Sequence, residues 1–156
     1  KKDVLTSTLC CLAMITGLAA AALWISPLFV LKFYLMPYVM FVIWLDFVTY
    51  LHHTVPEMPW YRDSNWNYLK GALSTIDHDY GVVNNVHHNI GTHVIHHIFS
   101  KIPHYNLKAA TEAAKPILGD YYRVSKRPVW EIFIRSVKNC HYVPNQGQTV
   151  YYQADQ

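Results

Sequence analysis

Val4 to Leu31 is a run of 28 residues without a charged side chain, built mostly from Leu, Ala, Ile, Val and Phe. No other feature restricts the fold so strongly, because about 20 apolar residues in a helix span a bilayer core. A second apolar run, Phe33 to Leu51, is broken only by Asp46. Pro27 and Lys32 lie between the two runs, and Trp24 and Tyr34 suit a headgroup interface. The pattern predicts a helical hairpin with spans near 4–25 and 33–51 and a turn around 26–32. Lys1 and Lys2 ahead of an apolar run that contains Ala19–Ala22 also have the layout of a secretory signal peptide. The second run and the absence of an initial Met argue against that reading.

Two spans return the chain to the side it left. Lys1 and Lys2 then share a side with everything after His52, and positive residues favour the cytoplasmic side. The expected fold is therefore an all-α integral membrane protein. A transmembrane hairpin, residues 1–52, precedes a cytoplasmic-side (or stromal-side) helical His-rich cap, 53–141, and a tail, 142–156.

Composition agrees. Charged residues make up 15%, against about 25% in an ordinary soluble domain. Aromatics reach 15%, with 12 Tyr and 5 Trp, which suits membrane belts. A net charge of +3 without a clustered basic face excludes a nucleic-acid binder. Cys10, Cys11 and Cys140 form neither a CxxC pair nor a disulfide framework.

Beyond the hairpin, Pro56 to Tyr68 reads as an interfacial loop or short helix, and Leu69 to Thr75 as a short helix. Asn106 is placed to cap a helix from Leu107 to about Lys115, ended by Pro116 and Gly119. Pro128 suits the first turn of another helix, 129–138. Its apolar Val129, Trp130, Phe133 and Val137 recur at near-helical spacing, as in a helix on a membrane surface. Residues 149–152 are strand-like.

The chemistry is carried by His93-Val94-Ile95-His96-His97. Residues i, i+3 and i+4 share one face of a helix, so three imidazoles are expected to project together, with Thr92 as the cap. A shuffled chain of this composition shows HxxHH only about 0.04 times. His87 and His88 precede the triplet, and His52 and His53 close the second apolar run. Neutral imidazole suits Zn, Cu, Fe and Ni. The cluster lacks Cys and holds more His than one ion needs, which favours a two-metal site with open positions. Asp46, Asp77 and Asp79 are the nearest acceptors for fixing imidazole tautomers. Asn84, Asn85 and Asn89 suit the orientation of a water. His78, His104 and His141 read as ordinary core or interface histidines.

With those residues on view, the sequence resembles the membrane fatty-acid desaturases. The likeness lies in Trp44-Leu-Asp-Phe-Val-Thr-Tyr-Leu-His-His-Thr54, Pro59-Trp-Tyr-Arg62 and Lys70-Gly-Ala-Leu-Ser-Thr-Ile-Asp-His-Asp-Tyr-Gly81. It continues through Asn84-Asn-Val-His-His-Asn-Ile-Gly-Thr-His-Val-Ile-His-His97, Ile102-Pro-His-Tyr105 and Ala109 to Tyr122. The nearest branch is the omega-3 (delta-15) type, and the His-His-Thr form looks bacterial or cyanobacterial. The resemblance implies a non-haem di-iron oxidoreductase that uses O2 to introduce a double bond into an acyl chain.

On that pattern His93, His96 and His97 match the third histidine box, His53 a further ligand, and His88 a weaker one. His52 and His87, with Asp46, Asp77, Asp79 and Asn85, would steady those ligands. Implied partners are a fatty-acyl lipid, the surrounding membrane lipids and a ferredoxin or cytochrome b5-type electron donor, with no nucleic acid. Lys101, Lys108, Arg123, Lys126 and Arg127 would favour an acidic donor. The family's two earlier boxes, of HxxxH and HxxHH type, would precede the hairpin, and this sequence does not include them there. The chain is thus expected to be the C-terminal part of a longer enzyme and inactive alone. Readings from other classes are a sister hydroxylase or acetylenase, a metal-transporting or metal-sensing membrane protein, and a haem-binding cytochrome.

Overall fold

The computed structural model describes residues 1–155, and the chain divides into two compact units at Phe47 and Val48. The first unit holds α1, Lys2–Trp24, and a second apolar helix that starts at Pro27. That second helix runs as α2, Pro27–Val30, a π-helical segment, Leu31–Leu35, and α3, Met36–His53. Its last turn belongs to the second unit. Both helices are long and apolar enough to cross a membrane.

The predicted turn is shorter than 26–32. Ser26 is extended at φ −177°, its hydroxyl accepts the Leu28 N–H at 3.1 Å, and Pro27 supplies the first helical residue. A Ser cap followed by Pro restarts a helix at once. No residue of α1 is buried, and Leu23 and Trp24 are among its most exposed side chains. The three threonine hydroxyls of α1 are satisfied within the helix. Thr6, Thr8 and Thr16 donate to the carbonyls of Lys2, Val4 and Leu12 at 2.8–3.0 Å. Such internal bonding is what lipid requires of a hydroxyl.

The second unit packs short elements around the final turn of α3. Its core includes Leu51, Met58, Leu73, Ile76, Val94, Ile95 and Ile132. The helices are α4, Tyr68–Ala72, α5, His93–Ile98, α6, Leu107–Leu118, and α7, Val129–Asn139. Asn67 caps α4 by accepting the Lys70 N–H at 2.9 Å. α6 runs through Pro116 before Gly119, at φ 51°, ends it. Asn106 precedes α6 but makes no side-chain cap bond.

Four short strands depart from an all-helical expectation. β1, Pro59–Tyr61, pairs antiparallel with β4, Thr149–Tyr151. β2, Asp77–His78, pairs parallel with β3, Val124–Ser125. Each ribbon joins distant stretches too short to carry a period of their own. The tail is tied down by Arg62, whose guanidinium donates to the carbonyls of Pro144 and Asn145 at 2.5 and 2.6 Å.

Candidate metal centre

Three imidazoles converge. His53 Nε2 lies 3.1 Å from His93 Nε2, and His97 Nε2 lies 3.0 Å from the same atom. His53 is the last residue of α3, while His93 and His97 sit one turn apart on α5. All three ligand atoms fall within 4.8 Å of one another. Metal–imidazole bonds of about 2.1 Å at right angles put two nitrogens about 3.0 Å apart. The two spacings to His93 match that figure, and the trio is a group that could hold a metal ion.

Each arm is held by its own bonds. The His52 carbonyl at the end of α3 accepts from Ile76 N–H at 3.2 Å and Thr75 Oγ1 at 3.0 Å. The His53 Nδ1–H donates to the Ser74 carbonyl at 3.3 Å, which leaves Nε2 with its lone pair toward His93. On the other arm, the buried Asp77 carboxylate accepts the Val94 N–H at 2.8 Å through Oδ1 and the Tyr122 hydroxyl at 2.8 Å through Oδ2. Asp77 is thus the cap of α5. Thr92 instead donates its hydroxyl to the Asn89 carbonyl at 2.7 Å. Gly91 lets the chain approach β2, with His78 N–H donating to the Gly91 carbonyl at 3.1 Å. A Cβ on Gly91 would stand 2.2 Å from the His78 carbonyl oxygen.

The electrostatics favour ligation. Burial, reinforced by neighbouring His52, His97, His53 and His96, holds His93 far below the ordinary histidine range. Burial and then His53 and His96 push His97 down to about 4. Both are neutral at pH 7, which is the form that binds metal. The buried Nδ1 of His93 has no hydrogen-bond partner among the described residues.

The other histidines lie outside the trio. His96 is half-buried with its ring 5.5 Å from that of His93. A straight helix brings i and i+4 together with His53 here and leaves i+3 to one side. His52 has both nitrogens occupied, Nδ1–H donating to the Ile76 carbonyl at 2.5 Å and Nε2 accepting from the Tyr80 hydroxyl at 3.1 Å. Its ring stacks on His93 at 4.3 Å. His87 lies edge-on to Tyr80 at 5.0 Å. His88 is exposed at φ 58° beside His104. His78 is buried, its Nε2–H donating to the Leu51 carbonyl at 2.9 Å.

Asp79 accepts from Gly81 N–H and Asn84 Nδ2 at 2.8 and 2.6 Å, which shapes its own turn and holds its carboxyl below the usual range. Asn85 is exposed, and Asp46 is an exposed residue of the first unit. Ser74, Tyr80 and Tyr122 were not among the residues singled out from sequence. Their tyrosines read as membrane-belt residues, and a backbone carbonyl acceptor leaves no mark in side-chain chemistry.

A neutral imidazole trio that could hold a metal ion stands at the end of a helix long and apolar enough to cross a membrane, and the comparisons with known proteins agree in kind. The fatty acid desaturase family profile matches residues 2–128. The chain belongs to that family. It is 58% identical over 154 residues to an sn-1 acyl-lipid omega-3 desaturase (ferredoxin) of Synechocystis sp., covering 99% of this chain and 43% of that protein. A Nostoc sp. protein of the same description is 52% identical over 152 residues, covering 97% and 42%. A chloroplastic sn-2 acyl-lipid omega-3 desaturase (ferredoxin) of Arabidopsis thaliana is 53% identical over 163 residues, covering 99% and 36%. The chain therefore spans less than half the length of these relatives. No solved structure matches it.

Proposed function

We propose that this chain is the C-terminal part of an O2-dependent, non-haem di-iron desaturase that introduces a double bond into a fatty-acyl lipid at the omega-3 position. The observation that carries the proposal is the approach of His53 Nε2 and His97 Nε2 to His93 Nε2 at 3.1 and 3.0 Å, all three atoms within 4.8 Å of one another, in a chain whose relatives are described as omega-3 desaturases. Bound iron would supply the reduction of O2 that removes two hydrogens from adjacent methylenes.

The residues of this chain do the holding. His53, His93 and His97 would bind one ion through Nε2. His96 would serve a second ion together with histidines from outside the chain, and His88 is the remaining candidate ligand. Ser74 and Asp77 fix the two arms, while His52 and Tyr80 wall the buried side. In this reading the His-rich unit faces the cytoplasm or stroma, and ferredoxin is the electron donor, met by Lys101, Lys108 and the cations around β3.

The test is product analysis by gas chromatography in cells expressing the whole protein. A new omega-3 double bond that disappears with His97→Ala supports the proposal. A hydroxy acid in its place refutes the desaturase assignment.

A further inference from the structure

We propose that α7 is an in-plane membrane anchor whose exposed apolar stripe enters a bilayer surface carrying anionic headgroups. The helix has three sides. Ile132 and Ser136 are buried against the second unit. Glu131 and Arg135 form ion pairs, with Arg127 and Glu57 respectively. The third side carries Trp130, Ile134 and Val137, which are 66%, 44% and 48% exposed. Spacings of four and three put them on one stripe. A large exposed apolar stripe flanked by a charged side is the pattern of an interfacial helix.

Two further observations say what covers it. Phe133, on the edge of the stripe, packs edge-on to Tyr50 with ring centroids 6.2 Å apart. Tyr50 is in the last turn of α3, the end of an apolar helix long enough to cross a membrane. The end of a span lies at the membrane–water interface, so α7 is at that depth. The surroundings are also basic. Beside α7 a cavity of about 740 Å³ has Arg123, Lys126, Arg127 and Arg135 in its lining together with Glu57. With Arg127 and Arg135 paired to Glu131 and Glu57, Arg123 and Lys126 are its cations outside any ion pair among the described residues. Lys126 and Lys138 are exposed and form no ion pair among the described residues. Cations flanking an apolar stripe complement anionic lipid headgroups. The inference rests on α3 crossing a bilayer and not on the metal site, so either can fail without the other.

The test uses the whole protein in vesicles, with native cysteines replaced by Ser. A nitrobenzoxadiazole probe is placed on Ile134→Cys, on Val137→Cys as a second stripe position, or on Asn139→Cys as an off-stripe control. Quenching is measured with headgroup-proximal spin-labelled lipids in phosphatidylcholine vesicles with and without phosphatidylglycerol. Stripe probes should be blue-shifted and quenched at least about twofold more than the control. Phosphatidylglycerol should strengthen the effect, and Lys126→Glu with Lys138→Glu should remove that strengthening. Stripe probes as wet as the control overturn the proposal. Blue-shifted but unquenched probes mean that protein, another segment or a second copy, covers the stripe, which also overturns it. Quenching indifferent to phosphatidylglycerol overturns the assignment to an anionic surface.

Discussion

His53 Nε2 and His93 Nε2 stand 3.1 Å apart although 40 residues separate them in the chain. Helix α3 delivers one imidazole and α5 the other, and neither helix sets the distance by itself. The distance is set by what holds each helix end: the bonds from Thr75 and Ile76 to the His52 carbonyl, and the Asp77 carboxylate on the first turn of α5. The account therefore makes predictions about supporting residues as well as ligands.

Asp77→Ala removes the cap of α5 and strands the Tyr122 hydroxyl. Loss of a helix cap costs about 1–2 kcal/mol. Loss of a group that orients metal ligands typically costs about 10–100-fold in metal affinity. Asp77→Asn keeps an acceptor for the Val94 N–H and should recover most of the stability. Thermal unfolding and metal titration of the two variants check this; equal affinity in Asp77→Ala and the parent would remove Asp77 from the site.

Gly91→Ala places a methyl group 2.2 Å from the His78 carbonyl oxygen. Backbone has to move, separating β2 from the start of α5, and overpacking of this kind costs about 1–3 kcal/mol or more. Gly17→Ala, in α1 with open space around it, should be neutral or slightly stabilising. Paired denaturation curves check the contrast.

The pH response has a defined sign. In the unfolded chain His78 and His97 take up a proton near 6.5; in the fold, burial resists that charge and His97 is held down to about 4. Between those values the unfolded state binds more protons, so stability rises with pH. The metal-free protein should lose stability as pH falls from 6.5 toward 4, with no contribution from these groups above 6.5. Denaturant unfolding at about pH 7.5 and about pH 4.5 should show a smaller loss in His97→Gln than in the parent.

Much of this was legible in the sequence. The uncharged run from Val4 to Leu31 marks α1 and the start of the second apolar helix, both long and apolar enough to cross a membrane, and HxxHH points to the imidazoles of α5. The helical face of the triplet was legible, but not that His97 rather than His96 turns with His93 toward His53, because that choice depends on where α3 ends. Asp77 stood out as an acidic residue near the histidines, yet its partner is a backbone N–H rather than an imidazole. The pairing of β1 with β4 joins residues 59–61 to 149–151, and three-residue strands carry no period that reveals such a match. Resemblance to the desaturases, and not spacing, singled out His53 over the rest of the His-rich stretch.

The most direct test compares two neighbours. His52 and His53 are adjacent, but only His53 directs a free imidazole nitrogen at His93, while both nitrogens of His52 are engaged by Ile76 and Tyr80. Iron should be counted by plasma mass spectrometry in the purified whole protein bearing His53→Ala or His52→Ala. The account predicts that His53→Ala loses at least half of the iron while His52→Ala keeps most of it. Full iron in His53→Ala, or equal loss in both variants, would contradict it.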